Sequence, residues 1–146
     1  MPEDYRVPVS RVQARLWLAE GDEHEIVLFC PPDTSAASLL EDDRRFFPAL
    51  GEGKFMLVAR DSVAALWVTA PPDPPPQELD LPTVSRSVHV HLSHGRSIRG
   101  TIRFVSSGVQ DRTADFLNEP SRCFDVHTSG QVVHVAKRHV LFVLEE

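Results

Sequence analysis

Residues 53–63 read GKFMLVARDSV, and residues 130–140 read GQVVHVAKRHV. A shift of 77 sets Gly53 on Gly130, Val58 on Val135, Ala59 on Ala136 and Val63 on Val140. The same shift carries Ala37 onto Ala114, Leu40 onto Leu117, Arg45 onto Arg122 and Phe47 onto Phe124. No gap is needed across 37–67 against 114–144. Upstream the shift drops to 74, so that Leu18 meets Leu92 and Gly21 meets Gly95. One insertion in the middle loop reconciles the two. Self-similarity at a fixed period decides architecture before any local reading does. A period this long spells a duplicated small domain rather than a solenoid turn.

The chain has 146 residues, so each copy holds roughly 60–65, near the lower limit for a self-sufficient core. The copies are therefore expected to pack on each other or on a partner. No apolar run approaches the ~18 residues of a membrane span. The start, MPEDYRVPVSR, lacks the basic-then-apolar pattern of a signal peptide, so a cytoplasmic location is expected. Cys30 and Cys123 do not match in the repeat; Cys123 stands where the first copy has Phe46 and reads as a small buried hydrophobe. No CxxC or Cys/His metal spacing occurs, and a reducing compartment disfavours a disulfide.

APPDPPPQELDLP, residues 70–82, marks the boundary between the copies. Its prolines lack amide donors and fix φ, so it reads as an extended, semi-rigid spacer. The chain thus divides into 1–69, a linker at 70–82, and 83–146. Charge divides too. Residues 1–70 carry 12 acids against 7 Lys/Arg, a net of −5, whereas residues 82–146 carry 6 against 8, a net of +2. Such asymmetry speaks to partners and self-association.

Within each copy the apolar period is two. In SVHVHL, Val88, Val90 and Leu92 point one way, and His89 and His91 the other. SHG at 93–95 is a turn, and SIRGTIRFV a second strand in which Gly100 allows a bend or bulge. QARLWL, AEGD and HEIVLFC repeat this in the first copy. TSAASLLEDDRRFF then offers Thr34 or Ser35 as a helix cap, and RTADFLNEPSRCF offers Thr113 as cap and Pro120 as stop. FMLVAR-DSVAALWV and VVHVAK-RHVLFVLE complete the copies as two strands each. The fold class is all-β: five short strands and one helical turn per copy, which suit a small, strongly bent barrel.

SVHVHLSHGRSIRGTIRFV and GQVVHVAKRHVLFVLE resemble the two halves of an Sm-like (SH3-like) barrel. The connecting RTADFLNEPSRCFDV is similar to an uncharacterised bacterial family of small Sm-like domains, through Arg112, Asp115, Leu117, Asn118 and Phe124. The first copy keeps Leu40, Phe47 and the late strands. The resemblance implies two Sm-like barrels in tandem and association of a fourth strand with a neighbour's fifth. The Asp-x-x-x-Asn-like element of RNA-binding Sm proteins has no counterpart, and Lys137-Arg138-His139 only distorts the Hfq-type Lys-His pair.

His89 and His91 share a strand face, with His134 on a later strand, yet no third ligand joins them, so no metal or other cofactor is expected. No Gly-x-Ser-x-Gly, P-loop or His-Glu-x-x-His pattern occurs, and Ser106, Ser107 and Cys123 lie near histidines in sequence only; no catalytic residue is assigned and an enzyme is not expected. Arg96, Arg99, Arg103, Lys137 and Arg138 are the candidates for a nucleic-acid face on the second copy. A PilZ-type cyclic-dinucleotide site could use Arg99 and Arg103, but its Asp-x-Ser-x-x-Gly partner is missing. Open strand edges make protein binding or homo-oligomerisation, as a dimer or small ring, the leading reading. Trp17, Trp67 and Phe142 are the interface candidates. The expected function is a non-enzymatic adaptor or assembly module, with RNA binding through the second copy as the alternative.

Overall fold

The computed structural model describes residues 10–31, 34–70, 82–106 and 112–146. Residues 71–81, most of the expected linker, and Ser107 lie outside them. The first half contributes β1 (Ser10–Leu18), β2 (Glu23–Cys30), α1 (Ala36–Glu41), β3 (Phe46–Gly51), β4 (Lys54–Ala59) and β5 (Val63–Thr69). The second contributes β6 (Thr83–Leu92), β7 (Ser97–Val105), α2 (Thr113–Leu117), β8 (Cys123–Thr128), β9 (Gln131–Ala136) and β10 (Val140–Glu145). The halves are thus built from the same elements in the same order.

The turns show why. Gly53 and Gly130 close the β3–β4 and β8–β9 hairpins with φ of 75° and 73°, a region that residues with a Cβ enter at a cost. Ser35 caps α1: its hydroxyl accepts from the Ser38 amide, and Ser38 answers to the Ser35 amide, a capping box. In α2 the expectation shifts by one residue. Arg112, not Thr113, holds the cap position, without a side-chain bond to the helix. The Thr113 hydroxyl instead bonds Glu145 of β10.

Gly100 makes no bulge. The β6–β7 register runs unbroken from Thr83↔Val105 to His91↔Ser97. A Cβ on Gly100 would stand 2.5 Å from the His127 carbonyl oxygen, so glycine is needed there for the close approach of β8 to β7.

All ten strands form one antiparallel sheet in the order β10-β6-β7-β8-β9-β5-β1-β2-β3-β4. Each half is therefore ordered fifth, first, second, third, fourth. Among the described residues the sheet is open: no ladder joins β4 to β5 or β9 to β10, so two closed barrels are not what the hydrogen bonds describe. Burial nevertheless curls each half. Val58 of β4 shares one core with Leu16, Leu28, Leu66 and Val68. A second core gathers Val88, Val90, Leu92, Ile98, Ile102, Val126, Val133 and Val135. The cores interleave at the seam, for Ala64 and Ala65 of β5 join the second, and Val132 and Ala136 of β9 join the first.

Candidate functional site

The seam is a strand pairing between the halves. Residues 65–69 of β5 run antiparallel to residues 131–135 of β9, with Ala65↔Val135, Trp67↔Val133 and Thr69↔Gln131 in register. Strand alternation sends Trp67 and Ala65 to one face and Leu66 and Val68 to the other, so each half buries part of its edge in its neighbour's core.

Trp17 and Trp67 belong to this seam. Their rings lie 5.0 Å apart, and both pack against the second core. The Trp17 indole N–H donates to Glu23 Oε1 at 2.6 Å, and the Arg96 guanidinium sits 4.8 Å above the Trp17 ring. Two of the three interface candidates thus lie between the halves of one chain. Phe142 is different: it is half exposed on β10, stacked on His91 at 4.3 Å.

Pairing at the seam leaves β4 and β10 as the outer edges. Among the described residues, every exposed large apolar side chain except Val105 lies on β3, β4 or β10: Phe46, Phe55, Leu57, Leu141, Phe142 and Leu144. Edge strands carry unpaired backbone donors and acceptors and are blunted in proteins that stay single. Here Phe55 is 67% and Leu57 60% exposed on one edge, and Leu141 is 65% exposed on the other. Of these the sequence singles out only Phe142, because FMLVA and LFVL are apolar at every position and hide which face is buried. Alternation against Val58 marks Phe55 and Leu57, and alternation against Val143 marks Phe142 and Leu144; Leu141 shares the parity of Val143 and lies at the register shift between Val140 and Phe142.

The candidate nucleic-acid residues have different surroundings. Arg96 is held by Trp17 and by the Gly21 carbonyl. Arg99 pairs with Glu146 at 3.4 Å on the outer face of β7. Arg103 lines a cleft with Asp125, His127 and His134. Lys137 and Arg138 line another, at the β9–β10 turn.

The histidines also separate. His91 Nε2 is 3.2 Å from His89 Nδ1, and His134 Nδ1 is 2.6 Å from Asp125 Oδ1. Desolvation first, then the neighbouring His91 and Arg99, push His89 below the usual imidazole value. Among the described residues no three His, Cys, Asp or Glu side chains are grouped to hold a metal ion. Cys30 and Cys123 are both free and buried. Burial, reinforced by Glu41, pushes the Cys123 thiol up to about 12, so it stays protonated and is a poor nucleophile. No helix among the described residues is long and apolar enough to cross a membrane.

Compared with family models, with curated proteins and with solved structures, the chain matches none.

Proposed function

We propose that the chain is a non-enzymatic assembly module that associates through its strand edges, each half being a small Sm-like barrel left open between its fourth and fifth strands. The observation that carries this reading is the seam itself: the fifth strand of one copy pairs with the fourth strand of the other. The repeat maps that pairing onto the two free edges. Shifted by 77, Ala65–Thr69 becomes Phe142–Glu146, and Val135–Gln131 becomes Val58–Lys54. The β10 edge of one chain would then lie on the β4 edge of the next, with Phe142 opposite Val58, Val143 opposite Leu57 and Glu146 opposite Lys54.

Three features support it. Both edges are apolar where a soluble edge would be charged. Lys54 and Glu146 bring opposite charges to the same rung. The β4 edge belongs to the acidic half and the β10 edge to the basic half, so head-to-tail order brings unlike halves together. The contact is heterologous, so it closes into a ring or runs on as a filament according to the rotation per step.

Light scattering across a concentration series tests it. The mass is expected to rise in whole multiples of the chain, and Leu57→Lys on β4 is expected to return it to one chain. Leu57 is exposed, so that variant keeps the core intact. A single-chain mass at tens of micromolar, roughly where weak interfaces populate, in low salt would sink the reading and leave the duplication as an internal pseudo-dimer.

A further inference from the structure

A cleft of about 570 Å3 opens where the two repeated turns meet. The 3-10 turn Arg60–Ser62 joins β4 to β5, and its counterpart Lys137–His139 joins β9 to β10. In the repeat Arg60 corresponds to Lys137, and Asp61 to Arg138. All four line the cleft, together with Arg122 and Ser121. The lining carries four cations and one carboxylate in a chain whose net charge is −6.

Most of these charges are already engaged. Arg138 Nη1 holds Asp61 Oδ1 at 2.7 Å, and His139 Nε2 lies 2.7 Å from the Asp61 carbonyl oxygen, which ties one turn to the other. The Arg138 hydrogen bond, with added pull from Arg60 and Arg122, keeps the Asp61 carboxyl below its usual range and ionised. Arg122 donates to the Asp42 carbonyl oxygen at 2.6 Å and to Asp43 Oδ1 at 2.9 Å.

Arg60 and Lys137 remain. The Arg60 Nη1 atom is buried with no hydrogen-bond partner. Lys137 Nζ donates only to uncharged acceptors, the Glu119 carbonyl oxygen and Ser121 Oγ. Among the described residues neither side chain makes an ion pair. A guanidinium nitrogen taken from water without an acceptor is costly, and native proteins leave few such groups unless an ion or water completes them. A guanidinium fork beside a lysine point charge suits a phosphoryl group, which offers several acceptor oxygens and more than one negative charge. The volume lies in the range of small-molecule sites.

We propose that this cleft is an anion site that takes the phosphoryl group of a small phosphomonoester, gripped between the repeat-related cations Arg60 and Lys137. A nucleic-acid backbone fits less well, because Arg96 and Arg99 are held elsewhere. The two cations come from the two halves, so the bound anion clamps the seam, and ligand that binds only the folded state raises its stability. Such a clamp needs no association between chains.

Thermal melting and titration calorimetry on the whole chain test it, with inorganic phosphate, AMP and adenosine as probes at constant ionic strength in chloride. Phosphate and AMP are expected to raise the melting temperature saturably, and adenosine to leave it unchanged. Arg60→Met and Lys137→Met are each expected to weaken AMP about tenfold or more, the loss of one charge-assisted bond. Arg60→Met is also expected to melt no lower than the parent in phosphate-free buffer, because it removes the unpartnered nitrogen. If Arg60→Met does not fold, Lys137→Met decides alone. No shift with phosphate or AMP, or equal shifts in parent and variants, overturns the proposal. So does an oligonucleotide without terminal phosphate that binds more tightly than AMP, which would assign the cleft to nucleic acid.

Discussion

Trp67 of β5 stands directly opposite Val133 of β9, and the Trp17 ring lies 5.0 Å from it on the same side of the sheet. An aromatic pair from the first half therefore closes over the core of the second. Neither half has a large core, and small domains bury too little surface to be secure alone. The shared seam supplies what each lacks.

Truncating Trp67 tests the seam. Trp67→Ala is expected to cost about 3–5 kcal/mol, as for large aromatic truncations in cores, toward the lower end because the ring is only partly covered. Trp67→Phe is expected to cost far less, because the indole nitrogen is buried without a hydrogen-bond partner and nothing is lost with it. Denaturant melts of the two variants make the comparison. Equal costs would mean that the nitrogen has a partner or that the ring contributes little packing.

Gly100 gives a sharper backbone test. A Cβ there meets the His127 carbonyl oxygen at 2.5 Å and Val126 Cγ1 at 2.6 Å. The carbonyl belongs to the β8 backbone and cannot swing away, so Gly100→Ala is expected to cost about 1–3 kcal/mol, the range for overpacking. At Gly130 the space is open and only the positive φ penalises a side chain, so Gly130→Ala is expected to cost about 1 kcal/mol. Urea melts that rank the two the other way would show that β7 and β8 separate easily.

Much of this architecture is legible in the chain. The period of two in SVHVHL assigns Val88, Val90 and Leu92 to the interior, where they lie, because strand geometry leaves no other face for them. The repeat announces matching turns, and Gly53 and Gly130 adopt nearly the same φ. What could not be read is how the halves join. Pairing of β5 with β9 depends on contacts some 66 residues apart along the chain, at Trp67 and Val133, and no local pattern encodes them. The arginines show the same limit: Arg96, Arg99 and Arg103 are close in sequence, yet Trp17, Glu146 and the cleft lined by His134 engage them separately. Arg60 reads in the sequence only as part of the turn at Arg60–Asp61, because the cleft that it and Lys137 both line is formed by residues 77 positions apart.

Alkaline pH probes the seam through a thiol. Burial holds the Cys123 pKa at about 12, against about 9 in an exposed chain, and raises that of Cys30 as well. The folded state keeps its proton where the unfolded chain would release it. The contribution to stability is therefore complete below about pH 9 and is lost as pH rises toward about 12. Melting temperatures are expected to fall through that window, and to fall less steeply in Cys123→Ala. Parallel slopes for parent and variant would mean that other groups account for the alkaline loss.

The charge pair Lys54 and Glu146 tests the register proposed for association. In the seam, Thr69 of β5 is the partner of Gln131 of β9, an uncharged rung. The repeat converts that rung into Glu146 opposite Lys54 at the free edges, where a salt bridge can form between chains. Glu146 already lies 3.4 Å from Arg99 of its own chain, so it serves as a shared acceptor and the gain is modest. Lys54→Glu is expected to place two acids on one rung and weaken association. Glu146→Lys is expected to do the same by setting two lysines together, and the double exchange is expected to recover most of the parent mass. Exposed pairs of this kind are worth about 0.2–1 kcal/mol, a few-fold in the dissociation constant, so light scattering must span a concentration range rather than one point. Salt is expected to shrink the differences among the four proteins, because screening reaches the charges but not the backbone ladder. Recovery in the double exchange is what separates this register from a nonspecific response to net charge, since the exchange leaves net charge unchanged. If both single variants weaken association and the double exchange stays as weak as either, chains meet at these edges in some other alignment.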